Sequence, residues 1–205
     1  MKGKNMLSSI YTSTSTKVVI LIRGLPSTGK STLARFFLMA FHLTEKNAFV
    51  RCADDYFYLE NPDEFSGPSD AEEQGLEYKY KGEEISQAHL WCVKQAHSLL
   101  SKDDTKAVII PNTFSQRWEM EPYINAAHEH KAELVVIDLF DAGLAVVELA
   151  HCNSHGVPES TVQAMKDRWE YNWGIGDPRA PWRRDTPKPE PKAGLFRRLV
   201  TALRG

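Results

Sequence analysis

The chain has 205 residues, 42% of them hydrophobic and 25% charged, with a formal net charge of −2. Those values predict a soluble globular chain, one domain with appendages, large enough to bury a sizeable core. No apolar run reaches the length of a bilayer span, and the polar residues 1–16 lack the apolar core of a secretory signal.

The charge is unevenly spread. Residues 179–205 hold eight basic and two acidic side chains, a local +6 that leaves −8 for the rest. An acidic body argues against a broad nucleic-acid-binding surface; a polynucleotide would need a local basic groove or the tail. Cys52, Cys92 and Cys152 are widely spaced and odd in number. They predict reduced thiols in a cytoplasmic protein rather than a disulfide framework or a zinc site.

In chain order, residues 1–16 are expected to be flexible. Residues 18–22 read as a buried strand and residues 31–38 as a helix. Between them, Gly24-Leu25-Pro26-Ser27-Thr28-Gly29-Lys30-Ser31 fits G-x-x-x-x-G-K-[ST]. Strand, glycine-rich loop and helix N-terminus aim backbone N–H groups at an anion. The pattern predicts phosphate binding by Gly24, Pro26, Ser27, Thr28, Gly29, Lys30, Ser31 and Thr32. Lys30 would reach the β- and γ-phosphates of ATP, and Ser31 would hold Mg2+.

Residues 48–52 read as a second strand, followed by Asp54 and Asp55. A carboxylate there can take the proton of an attacking hydroxyl or hold a metal-bound water; a helix cap is the plainer use. Residues 58–82 show little periodicity and read as an irregular insertion. Residues 83–101 predict a helix, 107–110 a buried strand stopped by Pro111, 118–131 a helix and 134–139 another buried strand. Residues 144–152 and 158–171 predict two more helices, the second opened by Pro158 and Ser160.

This alternation predicts an α/β fold, a parallel sheet covered by helices, with residues 17–175 as the domain. Ligands in such folds sit at the carboxyl ends of the strands, where the Asp pair and Asn112-Thr113 fall. Asp138 is read equally as a Mg2+-supporting carboxylate or a local hydrogen bonder. Residues 153–158 join the last two helices as a lid, with His155 either near phosphate or merely exposed. Trp91, Trp118 and Trp169 read as core.

Several motifs follow in order: residues 24–31, Ala53-Asp54-Asp55-Tyr56-Phe57, Ala88-His89-Leu90-Trp91, and Val108-Ile109-Ile110-Pro111-Asn112-Thr113. Then come Trp118-Glu119-Met120-Glu121-Pro122-Tyr123, Asn153-x-His155-Gly156-Val157-Pro158, and Met165-x-x-Arg168-Trp169. Over residues 17–173 the chain resembles the polynucleotide kinase-like P-loop kinases, an AAA-type ATP-binding family that includes the kinase module of phage polynucleotide kinase. The resemblance implies a P-loop NTPase fold with a helical lid. It also implies Mg2+-dependent transfer of the ATP γ-phosphoryl group to a 5′-hydroxyl of nucleic acid. Asp54 matches the general base, and Lys30 and Ser31 match the phosphate and Mg2+ contacts. Asp55 is expected beside the metal, and Asn112, Thr113, Arg117, Asn153, His155 and Arg168 at the lid or substrate.

Three departures bear on the acceptor more than on ATP. Phe57 stands where the family's phage member has a phosphate-binding arginine, and Pro111 where relatives have aspartate. Cys152 replaces a lid arginine, for which Arg117 and Arg168 are the substitutes at hand. No D-x-D-x-T or paired His-x-Thr motif occurs, which argues against an attached 3′-phosphatase or 2H phosphodiesterase module.

Residues 176–193 contain Pro178, Pro181, Pro187, Pro189 and Pro191 and read as an extended linker. Residues 194–205 predict a basic amphipathic helix with Leu195, Phe196, Leu199, Val200 and Leu203 on one face. It is either a docking peptide for a protein partner or anionic surface, or a helix packed on the domain. The leading expectation is a nucleic-acid kinase. The alternatives are a kinase for a hydroxymethylated DNA base or small-molecule hydroxyl, and an ATP-binding interaction module with little turnover.

Overall fold

The computed structural model describes residues 17–44, 47–65, 71 and 76–174. The expectations for residues 1–16, the proline-rich linker and the terminal basic helix lie outside the described residues. In order, the elements are β1 (Val18–Arg23), α1 (Lys30–Thr44), β2 (Ala48–Val50), α2 (Ile85–Ser101), β3 (Ala107–Ile110), α3 (Arg117–Glu129), β4 (Glu133–Asp138), α4 (Val146–His151) and α5 (Glu159–Asp167). A 3-10 helix, Ala53–Tyr58, follows β2.

The strands form one parallel sheet in the order β2-β3-β1-β4. Alternate residues of each strand point to opposite faces, so an apolar run builds two cores at once. Val19, Leu21, Val108 and Ile110 pack with α2 and α3, while Ile20, Ile22, Ala107 and Ile109 pack under α1. Each fully buried Val, Leu or Ile contributes about 1.5–3 kcal/mol. Burying both faces makes this sheet the rigid frame of the molecule.

β4 departs from expectation in one respect. Its central residues are as apolar as those of its neighbours, yet at its edge of the sheet they are only half-buried, and Glu133 and Asp138 at its ends are exposed. Leu134 and Val136 still pack with one core, and Val135 and Ile137 with the other.

Helix α1 runs past residue 38 to Thr44 because Ala34, Leu38 and Phe41 continue the stripe facing the sheet. Helix α5 stops at Asp167, short of residue 171. Beyond it Trp169 turns into a third, smaller core with Leu25, Leu149 and Val162. That core joins the α4–α5 pair to the loop after β1. No helix among the described residues is long and apolar enough to cross a membrane.

Candidate active site

The loop between β1 and α1 is shaped by two residues with left-handed backbone, Ser27 (φ 65) and Gly29 (φ 84). Glycine has no steric cost there; serine does, and a site that holds it must over-determine it. A Cβ on Gly24 would run into Thr28 Oγ1 and lie 3.2 Å from Leu139 Cβ, so glycine is needed for close approach. Thr28 Oγ1 in turn donates to the Leu25 carbonyl at 2.8 Å. Backbone bonds from Gly24 N–H to the Thr113 carbonyl and from Leu25 N–H to the Phe140 carbonyl fix the loop to the ends of β3 and β4.

Two features of this loop suit an anion. Ser27 Oγ is buried with no hydrogen-bond partner among the described residues. The Lys30 ammonium donates to the Leu25 carbonyl at 2.8 Å, and burial pushes its pKa down to about 8, with Asp54 and Cys52 opposing. An unpartnered hydroxyl and a buried cation resting on a carbonyl are groups a phosphate would satisfy.

Asp54 lies on the 3-10 helix, one turn past β2. Its neighbour Asp55 faces the other way. Asp55 is 1% exposed and accepts the Cys52 N–H at 2.7 Å and the Ala71 N–H at 2.8 Å. It caps the turn, and it is absent from the cavity wall that Asp54 helps form. The expected place of Asp55 beside a metal does not match this geometry.

Asn112 is 5% exposed and also braces the turn. Its Oδ1 accepts the Ala53 N–H at 2.9 Å, and its Nδ2 donates to Tyr123 Oη at 3.5 Å. Asp138 forms a 3.2 Å ion pair with Arg23 and accepts the Phe140 N–H at 2.9 Å. Of its two readings, the local one describes it.

One cavity of about 610 Å3 gathers most of the sequence candidates. Pro26, Ser27, Gly29, Lys30, Ser31 and Thr32 form one wall, with Asp54, Asn112 and Thr113 beside them. Asn153, His155 and Arg168 line the same cavity. Gly24 and Thr28 support the loop from behind. Arg117 does not line the cavity; its N–H donates to Glu170 Oε2 at 2.7 Å. Between the two substitutes for a lid arginine, Arg168 is the one in reach, and its Nε donates to Ser115 Oγ at 2.8 Å. Asn153 Oδ1 accepts the His155 and Val157 N–H groups at 2.9 and 3.0 Å, and Gly156 takes φ 67. Together these shape the lid turn.

Four contributors escape sequence reading. Arg23 is fully buried at the end of β1. It donates to the carbonyls of Phe114, Ser115 and Glu170, and Trp169 stacks 4.1 Å from its guanidinium. Arg35 joins the cavity wall from α1. Tyr78 and Tyr80 reach the cavity from the segment taken as irregular. The alternating Tyr78-Lys79-Tyr80-Lys81 was the available signal for them.

Cys52 and Cys92 are buried and Cys152 exposed, and all three are free thiols. Trp91 and Trp169 are core residues and Trp118 is half-buried. His97, Glu129 and His130 form a small cluster on α2 and α3, outside the cavity wall.

The chain is 32% identical over 156 residues to human NEDD4-binding protein 2, covering 75% of this chain but 8% of that protein. It therefore spans a small fraction of that relative. The solved structure described as "Crystal structure of APE1195" superposes with a TM-score of 0.45 at 16% identity, over 76% of this chain and 80% of that one. The family model described as "AAA domain" matches residues 19–171. The chain belongs to that AAA domain family, and its described residues form a P-loop kinase-like nucleotide-binding domain.

Proposed function

We propose that this domain transfers the γ-phosphoryl group of ATP to a hydroxyl of nucleic acid, most directly a 5′-hydroxyl end. One observation carries the reading: Asp54, Lys30 and Ser31 line a single cavity together with residues 153–158 of the lid turn.

The chemistry divides among these residues. The loop amides and Lys30 hold the β- and γ-phosphates, and the N-terminus of α1 adds its partial positive charge. Ser31 would hold Mg2+, which when bound neutralises charge on the phosphate oxygens. Asp54 takes the proton of the acceptor hydroxyl as its oxygen bonds to the γ-phosphorus and the bond to ADP breaks. Arg168, which lines the cavity, would meet charge on the transferring group. Asn112 keeps Asp54 on station through the Ala53 N–H.

The test is transfer from γ-labelled ATP with Mg2+ onto 5′-hydroxyl DNA and RNA, hydroxymethyl-base DNA, and no acceptor, with Lys30→Ala as blank. Label on the 5′ end supports the reading. ATP binding without label on any acceptor defeats it.

A second reading, a hydroxymethylated base or small-molecule hydroxyl as acceptor, is favoured by Phe57. This residue is 4% exposed and packs against Tyr78 and Tyr80, so no cation stands there to bind a strand phosphate. Label on the modified base alone would select it.

A further inference from the structure

The stretch read as an irregular insertion ends in Tyr78-Lys79-Tyr80-Lys81, with the Lys79 N–H bonded to the Phe57 carbonyl at 2.8 Å. Tyr78 and Tyr80 both turn inward and rest on buried Phe57, with ring centroids 6.0 and 5.0 Å from it. Their own rings lie 20° from parallel, 6.2 Å apart. Lys79 and Lys81 stand outward, more than half exposed, in surface pairs with Glu77 and Glu84.

Tyr78 links the two sides of the cavity. Its hydroxyl donates to Asp54 Oδ1 at 3.5 Å, and its ring lies 4.4 Å from that of His155 on the lid. Tyr80 is 55% exposed although it lines the same cavity. An apolar ring left open beside a carboxylate has area to offer a ligand. Tyr78 is half-buried, its ring packed against those of Tyr58 at 5.0 Å and His155 at 4.4 Å, so the open ring area beside the cavity is that of Tyr80.

We propose that Tyr80, backed by Tyr78 and propped by Phe57, forms a stacking surface for the nucleobase of the acceptor's terminal nucleotide. Recognition is by stacking on any base. The platform rests on the reading of the acceptor as nucleic acid and deepens it. It also gives buried Phe57 a use, as the buttress of an aromatic surface.

The experiment uses the full chain with a non-hydrolysable ATP analogue and Mg2+. Oligonucleotides carry 2-aminopurine or an abasic residue at a 5′-hydroxyl terminus. Stacking predicts quenched 2-aminopurine fluorescence on binding, and tighter binding of the base-bearing strand. Tyr80→Ala should weaken that strand's affinity roughly 5- to 150-fold and relieve the quench. It should leave the abasic strand's affinity nearly unchanged, and Tyr80→Phe should keep the quench. Equal losses for both strands, or no loss for either, overturn the platform. Circular dichroism of each variant checks folding; Tyr80 is exposed, so its replacement opens no core cavity. Phosphoryl transfer is measured in parallel. Quenching without transfer would defeat the kinase reading and keep the platform, whereas transfer without quenching would do the reverse. Neither quenching nor transfer would overturn both.

Discussion

Asn112 Oδ1 accepts the backbone N–H of Ala53 at 2.9 Å, tying the end of β3 to the start of the turn that holds Asp54 across 59 residues of sequence. The bond is buried and lies between groups on two adjacent parallel strand ends. Under the proposed function it would make Asn112 a positioning residue, acting through Asp54 rather than through the phosphate loop.

Asn112→Ala removes the acceptor of a buried N–H, which costs about 1–3 kcal/mol. Urea unfolding should show that loss. Transfer rate should fall while the KM for ATP stays within about twofold. A rise in the ATP KM with unchanged kcat would contradict the assignment.

The Lys30 ammonium, held down to about 8 by burial, sets a pH dependence. The ammonium binds phosphate and the neutral amine does not. Affinity for ATP should therefore fall about tenfold between pH 7 and pH 9, with proton uptake on binding. Lys30→Arg should flatten the dependence, because a guanidinium stays charged. Without nucleotide the sign reverses for stability. The unfolded chain binds the proton more tightly, so the free protein gains stability as pH rises from about 8 towards the ordinary lysine value of 10.5. Calorimetric titration across this range checks both.

How far the sequence speaks depends on whether the cause is local. The strands, the glycine-rich loop and the helices are written in periodicity and motif, which need only neighbours along the chain. Asp54 and Asp55 carry the same side chain and sit side by side; only the handedness of a 3-10 turn separates the cavity from the cap. Tyr78 meets Asp54 from 24 residues further along the chain, and no sequence period announces the approach. The apolar run of β4 reads like a central strand because helices cover both its faces, and only the strand order makes it an edge. Arg23 ends an apolar strand, and its partners are carbonyls 91 or more residues away.

Arg23 gives a stability prediction. It supplies donors to three carbonyls and pairs with Asp138, which is 30% exposed and so keeps part of its hydration. Arg23→Ala should cost roughly 2–4 kcal/mol in urea unfolding. Arg23→Lys should lose less, because one ammonium keeps the charge but reaches fewer of the carbonyls. Wild-type stability in Arg23→Ala would remove its role as a hub.

Gly24→Ala places a methyl against Thr28 Oγ1 and Leu139. The loop must shift, and ATP affinity should drop at least about tenfold with a smaller change in unfolding midpoint. The double variant Gly24→Ala, Thr28→Ala removes the hydroxyl in the way and should recover part of the affinity. Isothermal titration with ATP measures both; no loss in the single variant would contradict the close approach.

The central claim is that Asp54 serves as the base of a phosphoryl transfer. The most direct measurement compares wild type and Asp54→Asn for transfer rate onto a 5′-hydroxyl oligonucleotide, with ATP affinity determined on the same samples. The account predicts a rate loss of about 10²- to 10⁴-fold with ATP affinity retained within a few-fold. Full transfer by folded Asp54→Asn would contradict it.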